Sequence, residues 1–217
     1  MSTDRRTQAA RSAATRQALL EAGRTLFGQV GYAEVSTVAI VKAAGVSRGA
    51  MYHQFADKRA LFEAVLEDVE RDLVQRIGSA VLTSGLPDPI DRLIVGCLAW
   101  LDASAEPEVQ RIALLDAPAV LGWDRWREIE SRHTIGLMEE RLAGAMAAGR
   151  IHPQATRPLA LVLVGALDEA SQHLAKGYES PEAIRSVIKQ LISGLAGNPE
   201  HDAPSPSRDA DPDVRDE

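Results

Sequence analysis

Residues 36–57 contain four features that restrict this part of the chain to two short helices joined by a tight turn. Ser36 precedes the apolar stretch "TVAIVKAA", where its hydroxyl can accept a hydrogen bond from the free N–H groups of a helix start. Gly45 follows and can adopt the positive φ that ends a helix. Ser47 repeats the capping arrangement before "RGAMYHQ", and Asp57 repeats it before a longer apolar pattern. Two short helices around a Gly-containing turn are typical of the helix-turn-helix motif.

Helical periodicity continues on both sides of this segment. Before it, apolar residues recur every three or four positions from Thr15 and the pattern stops at Gly31, which predicts a first helix. After it, a similar pattern starts at Asp57 and continues to Ile77. Pro or Gly clusters then separate five periodic stretches, which predict helices over residues 90–103, 107–116, 123–148, 155–176 and 180–196. Since no stretch alternates polar and apolar residues and no internal repeat is present, the sequence predicts an all-α fold.

The charges of the chain are distributed unevenly. Residues 1–59 contain nine Lys or Arg and four Asp or Glu, whereas residues 60–217 contain 15 and 27. The net charge of −7 therefore combines a basic N-terminal part with an acidic remainder. Because attraction to phosphates needs cations only where contact occurs, this pattern favours a local site for a polyanion. The first arginines can follow DNA as an arm or simply be solvated, and both interpretations stay open for Arg5, Arg6, Arg11 and Arg16.

Composition disfavours several other classes of protein. Hydrophobic residues make up 45% and aromatic residues only 4%, which is typical of an aliphatic helical protein rather than a β-sandwich. The single cysteine, Cys97, cannot form an intramolecular disulfide, and we interpret it as a buried side chain. No apolar run reaches the roughly 20 residues needed to span a bilayer, and the N-terminus lacks the apolar segment of a signal peptide. We therefore expect a cytoplasmic protein without a membrane segment.

The second short helix has the composition of a helix that enters a DNA major groove. Gly49 and Ala50 have too little bulk to keep the backbone away from DNA. Arg48 can bond to guanine or phosphate, and Tyr52 and His53 can donate to phosphates or contact bases. The alternative is that Arg48 is a solvated charge and Tyr52 a core aromatic.

Three further residues can bind phosphates beside that helix. Ser36 and Thr37 place hydroxyls next to the free N–H groups at the start of the first short helix. Lys58 supplies a cation on the first turn of the helix that follows. We therefore predict a DNA-binding surface made by Ser36, Thr37, Arg48, Gly49, Ala50, Tyr52, His53 and Lys58.

The segment from Arg16 to Val65 resembles the DNA-binding domain of the TetR (tetracycline repressor), or AcrR-like, family of transcriptional regulators. The resemblance rests on "AGVSRG", on "YHQF" and on the "DK" that follows, and it covers about a quarter of the chain. Two positions depart from the family pattern. Thr37 stands where a hydrophobic residue is common, and Gln54 stands where a second histidine is common.

The resemblance implies a homodimeric repressor that binds a double-stranded DNA operator and is released by a small hydrophobic or amphipathic effector. It implies a three-helix helix-turn-helix domain at residues 16–58, after a flexible basic arm at residues 1–15. A larger helical domain for ligand binding and dimerisation would follow at residues 59–197, with the dimer interface on its last two helices. An ordinary intramolecular core is the alternative for those two helices. Residues 198–217 contain seven acids and four prolines, and we expect a disordered acidic tail there.

The larger domain offers several candidates for an effector pocket, which needs apolar walls and a few polar anchors. Each candidate can equally be a core or surface residue; they are Trp100, Trp123, Trp126, His133, Met138, Asp168, Gln172 and His173. No Cys and His spacing suits a metal and no motif suggests a cofactor, so we expect neither.

Two other functions compete with that of a ligand-responsive regulator. An enzyme is disfavoured because the sequence contains no GxSxG, no phosphate-binding glycine loop followed by Lys and no HExxH. A DNA-binding regulator without a small-molecule effector, controlled by a partner protein or acting by occupancy alone, stays open. The size of the domain after residue 58 favours an effector, because dimerisation alone requires less.

Overall fold

The computed structural model describes residues 2–196 and, for side chains, residues 8–196. The predicted acidic tail at residues 198–217 lies outside the described residues. Helices account for nearly all of the described chain; they are α1 Ser2–Val30, α2 Thr37–Ala43, α3 Arg48–Gln54, α4 Lys58–Ser84, α5 Pro89–Ser104, α6 Pro107–Val109, a π-helical segment Gln110–Asp116, α7 Ala117–Leu121, α8 Trp123–Arg132, α9 Thr134–Ala147, α10 Thr156–Ala175 and α11 Pro181–Gly194.

The predicted all-α class is confirmed. Within residues 2–196 the only β-type pairing is an isolated bridge between Ile151 and Ala196. In the same range no helix is both long enough and apolar enough to cross a membrane.

Local capping sets the bounds of the helix-turn-helix as predicted. The Ser36 and Ser47 hydroxyl oxygens each accept a hydrogen bond, 3.1 Å long, from the backbone N–H three residues on. Asp57 does the same at the start of α4, at 2.7 Å from the N–H of Ala60. Gly45, at φ +65°, takes the left-handed conformation in the turn between α2 and α3. These contacts satisfy donors that the first turn of a helix otherwise leaves unpaired.

Three helix bounds differ from the sequence prediction. Helix α1 starts at Ser2 rather than near Thr15, because the alanine- and arginine-rich stretch before Thr15 has high helix propensity. The predicted helix over 107–116 continues to Leu121 through the π-helical segment. The predicted helix over 123–148 is divided at His133, whose backbone leaves helical geometry at φ −114°, ψ −89° and whose ring Nε2 lies 2.8 Å from Glu67 on α4.

Two hydrophobic clusters form the core. One contains α1 to α4 and continues into α6, the π-helical segment, α7 and α8, with Phe27, Met51, Phe62 and Ile112 fully buried. The other joins α5, α9, α10 and α11. Because the first cluster extends past residue 58, the helix-turn-helix is packed directly onto the larger helical part.

Candidate nucleic-acid interface and ligand cavity

Helix α3 has one buried side and one exposed side. Met51 is fully buried, and Phe55 just after the helix is also in the core. Arg48, Gly49 and Tyr52 lie on the exposed side. A buried anchor on one side and polar groups beside small residues on the other is the arrangement a groove-reading helix requires.

Tyr52 links α3 to the start of α2. The Arg48 guanidinium carbon lies 5.6 Å from the centre of the Tyr52 ring, in cation–π range. Hydrogen bonding to Arg48 and Thr37 lowers the pKa of the Tyr52 phenol. Thr37, Arg48 and Tyr52 therefore form one group, in which Thr37 is half-buried and the other two are exposed, and His53 follows on the same short helix, also exposed.

Ser36 and Lys58 differ from the other predicted contacts. Ser36 is exposed and its oxygen is used in the helix cap, so its O–H hydrogen is what it can offer to a phosphate. Lys58 is half-buried, and its Nζ donates to the carbonyl oxygens of Tyr32 at 2.9 Å and Val35 at 2.8 Å. Its ammonium also lies 4.0 Å from the centre of the Tyr32 ring. Lys58 thus tethers the turn after α1, and the structure does not bring its charge into the exposed group on α3.

Two contacts that the sequence prediction missed fix α3 against α1. The Gln54 amide nitrogen donates to the Ser12 hydroxyl at 2.8 Å, and the Arg16 guanidinium carbon lies 4.4 Å from the centre of the Phe55 ring. Both pairs are about 40 residues apart in sequence, so periodicity alone could not have found them. The Arg16 guanidinium consequently lies against Phe55, although the residue as a whole is exposed.

A small apolar cavity lies between α4, α5 and α9, and Leu167 of α10 also lines it. Its volume is about 40 Å³, which is room for roughly three water molecules at ~10–15 Å³ each. Two of the predicted pocket residues, Trp100 and Met138, line it. Thr134 is a polar lining residue, and its hydroxyl donates to Glu70 at 2.8 Å. Most of the lining residues are apolar, and Arg92 and Arg141 are the charged exceptions.

The other predicted pocket residues lie away from this cavity. Trp123 and Trp126 contact the Arg127 guanidinium, whose carbon lies 4.7 Å and 4.6 Å from their ring centres, so the chain's own cation occupies this aromatic pair. His133 bonds to Glu67 as described, and His173 pairs with Glu169 at 3.1 Å on the surface of α10. Gln172 is half-buried beside it. The structure does not bring these residues together with Trp100 and Met138.

Asp168 belongs to a buried group of acids that the sequence prediction missed. Arg127 pairs with Glu130 and lies 3.5 Å from Asp168 Oδ2, and both acids are almost fully buried. Asp168 Oδ1 accepts no hydrogen bond from any described residue. Burial, together with the charge of Glu130, raises the pKa of Asp168 to about 8. The single Arg127 guanidinium faces the two carboxyl groups of Glu130 and Asp168, so these two acids together hold a proton at neutral pH.

Glu70 on α4 extends this buried acidic group toward the cavity. It is 4% exposed, and burial raises its pKa to about 7, against the opposing effect of the hydrogen bond from Thr134. Glu70 lies on the long helix α4, which also carries the cavity residues Ile77 and Val81. The sequence signal for such residues was weak, because an acid within a long helix is usually on its solvated face.

Comparison with known proteins gives consistent matches to one family. Residues 19–65 match the family model described as bacterial regulatory proteins, tetR family, and residues 90–197 match the model described as tetracyclin repressor-like, C-terminal domain. The chain is 30% identical to the HTH-type transcriptional repressor Rv1474c of Mycobacterium tuberculosis over 184 residues, 81% of this chain and 90% of that protein.

A second relative and a solved structure agree with this. The HTH-type transcriptional regulator BetI of Yersinia pestis is 37% identical over 78 residues, which covers 36% of this chain and 39% of BetI. The crystal structure of a TetR-family transcriptional regulator from Pectobacterium atrosepticum superposes with a TM-score of 0.70 at 30% identity, covering 88% of this chain and 98% of that one.

Proposed function

The chain belongs to the TetR family of bacterial transcriptional regulators, and we propose that it is a repressor that binds a palindromic DNA operator as a homodimer and is released by a small-molecule effector. The matched family is regulatory, in agreement with the lack of catalytic motifs in the sequence. Its place of action is the cytoplasm, where the DNA lies.

The observation that carries the DNA-binding part of the proposal is the exposed side of α3. Arg48 and Tyr52 stand there beside Gly49, and Thr37 at the start of α2 joins them. Arginine reads guanine O6 and N7 with two hydrogen bonds, while hydroxyls and phenols position the protein on phosphates. Arg48 is the proposed base-reading residue, and Ser36, Thr37, Tyr52 and His53 are the proposed phosphate or base contacts. Gly49 and Ala50 allow the backbone close to the groove.

Lys58 has a different proposed role. Its two hydrogen bonds to carbonyl oxygens hold the turn between α1 and α2, and so place the start of α2 relative to α3. We assign it to positioning of the phosphate-binding residues rather than to direct contact.

The proposed dimer interface is on α10 and α11. Leu161 and Val162 of α10 and Val187 and Leu191 of α11 are exposed apolar residues, from 40% to 68% exposed. A two-fold axis would bury the same face of both copies in an isologous contact. Such a dimer presents two copies of α3 to half-sites about one helical turn of DNA apart, roughly 34 Å.

The proposed effector acts on the cavity between α4, α5 and α9. Helix α4 is separated from α3 by three residues, and near its other end it lines the cavity. A ligand that widens the cavity therefore displaces an element rigidly connected to the DNA-binding surface. The alternative is a regulator controlled by a protein partner, for which the small size of the cavity is the supporting observation.

Operator selection tests the DNA-binding proposal. Genomic fragments selected by the purified protein should contain a palindrome, and affinity for it should fall steeply with salt. Replacing Arg48 by alanine should cost about 1–3 kcal/mol of binding free energy and relax the preference at one base position per half-site. Arg71→Ala is the matched control, because Arg71 lies on α4 and pairs with Asp68. Binding that ignores sequence, or an Arg48 variant with unchanged affinity, would overturn the proposal.

A further inference from the structure

The cavity between α4, α5 and α9 has apolar walls and positive charge at its edge. Trp100, Leu137 and Met138 contribute to its walls, and the hydroxyl of Thr134 is engaged by Glu70. Arg92 and Arg141 are the charged lining residues, and both are exposed to solvent. A second cavity between α5 and α9, of about 310 Å³, is lined by the same two arginines and by Glu140. They therefore stand together at the entrance of the apolar cavity.

These two arginines lack the acidic partners that most arginines of this region have. Residues 84–196 contain nine arginines, and six of them form ion pairs with Asp or Glu. Arg92 and Arg141 form none within the described residues; Arg92 donates from Nε to the Leu86 carbonyl at 2.7 Å. Asp88 is paired with Arg150, and within the described residues neither Asp91 nor Glu140 forms an ion pair with Arg92 or Arg141. Two guanidinium groups thus remain able to bind an anion.

The walls of the cavity can accommodate additional volume. Gly78 and Gly96 lie inside α4 and α5, where glycine is unfavourable for a helix. A Cβ at Gly78 would meet no atom within 4 Å, and one at Gly96 would lie at ordinary contact distance, 3.6 Å, from Ile77 and Val81. An alanine at either position would therefore meet no clash, so these glycines are not required by helix packing. They keep space beside the flexible side chain of Met138.

We propose that the effector is an organic carboxylate with an apolar body, whose carboxylate binds Arg92 and Arg141 and whose body enters between α4, α5 and α9. This inference rests on the proposed effector function of the same cavity. The cavity has a volume of about 40 Å³, far below the roughly 300 Å³ of a typical ligand pocket. Ligand entry therefore moves Met138 and separates α4 from α5, which provides the displacement that releases DNA.

Octanoate and 1-octanol are the probes, because they share an apolar chain and differ in the charged group. Binding is measured through the fluorescence of the tryptophans, one of which lines the cavity, and operator affinity is measured in the same samples. Octanoate should bind saturably, at least about tenfold more tightly than 1-octanol, and should weaken operator binding. The double variant Arg92→Gln, Arg141→Gln should lose this preference while keeping its melting temperature and operator affinity. Arg71→Gln is the charge-matched control and should behave as the wild type.

A second variant tests the apolar part of the site. Gly78→Leu should fill the cavity and weaken octanoate binding about tenfold or more without loss of folding, since open space surrounds Gly78. Equal affinity for octanoate and octanol, retention of the preference in the double arginine variant, or the absence of octanoate binding would each overturn the inference. Specific operator binding that persists in any of these cases separates this failure from failure of the proposed DNA-binding function.

Discussion

At the scale of single residues, charged groups occur in two opposite environments, exposed on the DNA-binding surface and buried in the larger helical part. Arg48 is exposed on α3, where a phosphate or base can replace water around it. Glu70, Glu130 and Asp168 are buried in the larger helical part, where Arg127 pairs with Glu130 and Asp168 and Thr134 bonds to Glu70. A buried carboxylate without enough partners is costly, so the acids remain protonated until the pH is well above their ordinary range.

We predict that the protein loses stability as the pH rises from 6 to 8.5. The folded-state pKa values of Glu70 and Asp168, about 7 and about 8, exceed those of the unfolded chain, so the folded state binds more protons in this window. Stability contributed by these groups is present below their unfolded values and is lost as the pH passes through the folded ones. The expected loss of unfolding free energy is at least about 1.4 kcal/mol, the equivalent of one pKa unit. Urea denaturation at several pH values measures it.

Neutral isosteres identify the groups responsible. Glu70→Gln keeps an acceptor for Thr134, and Asp168→Asn supplies a permanent donor toward Glu130. Each should flatten the pH profile, and Glu182→Gln, at an exposed position on α11, should leave it unchanged. A profile that stays steep in both buried variants would contradict the assignment.

The sequence predicts the role of a single residue correctly where that role depends only on its neighbours in the chain. Ser36, Ser47 and Asp57 cap the helices that begin next to them, and such caps depend only on neighbouring backbone. Lys58 was predicted as a phosphate contact, and its bonds to the carbonyls of Tyr32 and Val35 depend on how α1 and α4 pack. No signal within a few residues of Lys58 reveals that packing.

At the scale of elements, the turn between α2 and α3 constrains the backbone of the DNA-binding part. Gly45 has φ +65°, and the N–H of Val46 donates to the Val41 carbonyl at 3.1 Å. An alanine at Gly45 would carry its Cβ into the left-handed region, at a cost of roughly 1–2 kcal/mol. We therefore predict that Gly45→Ala lowers the unfolding free energy by this amount, measured by urea denaturation.

Gly144 serves as the control, because an alanine there is expected to stabilise the protein. It lies inside α9, and a Cβ there would meet no atom within 4 Å. Gly144→Ala should raise stability by about 0.5–1 kcal/mol, because alanine favours a helix. Equal losses of stability in both variants would contradict the prediction that Gly45 is needed for its left-handed conformation.

The helix bounds show what sequence periodicity can predict and what it cannot. The capped helices α2 and α3 were predicted within a residue or so, whereas the break at His133 was missed. A hydrogen bond to Glu67 on α4 accompanies that break, and a pattern in one segment does not contain its tertiary partner. Of the predicted pocket residues only Trp100 and Met138 line the cavity, for the same reason: the positions of α4, α5 and α9 define it jointly.

At the scale of the whole molecule, one core joins the DNA-binding helices to the larger part. The cluster around Phe62 continues through Ile112 to Ile129, and Arg24 of α1 bonds to Asp68, Asp72 and Glu108 at the junction. We predict a single cooperative unfolding transition, in which tryptophan fluorescence from α5 and α8 coincides with the loss of hydrogen-exchange protection in α3. Two separate transitions would show that residues 16–58 are an independent domain.

The second property of the whole molecule is its assembly. Leu161 and Val162 on α10 and Val187 and Leu191 on α11 expose apolar surface that neither core cluster covers. If a second copy covers it, charges on this face would be buried against apolar side chains and would prevent association. We predict that Leu161→Glu with Val187→Glu converts the proposed dimer into a folded monomer, measured by sedimentation equilibrium.

Loss of the dimer should also weaken operator binding by several orders of magnitude, because each half-site is then bound without the effective concentration that its linked partner provides. Leu82→Glu is the control, since Leu82 is 82% exposed on α4, away from both helices. It should leave mass and DNA affinity unchanged. A dimer that survives both charges would place the interface elsewhere, and the spacing between the two copies of α3 would then have to be set by another face of the molecule.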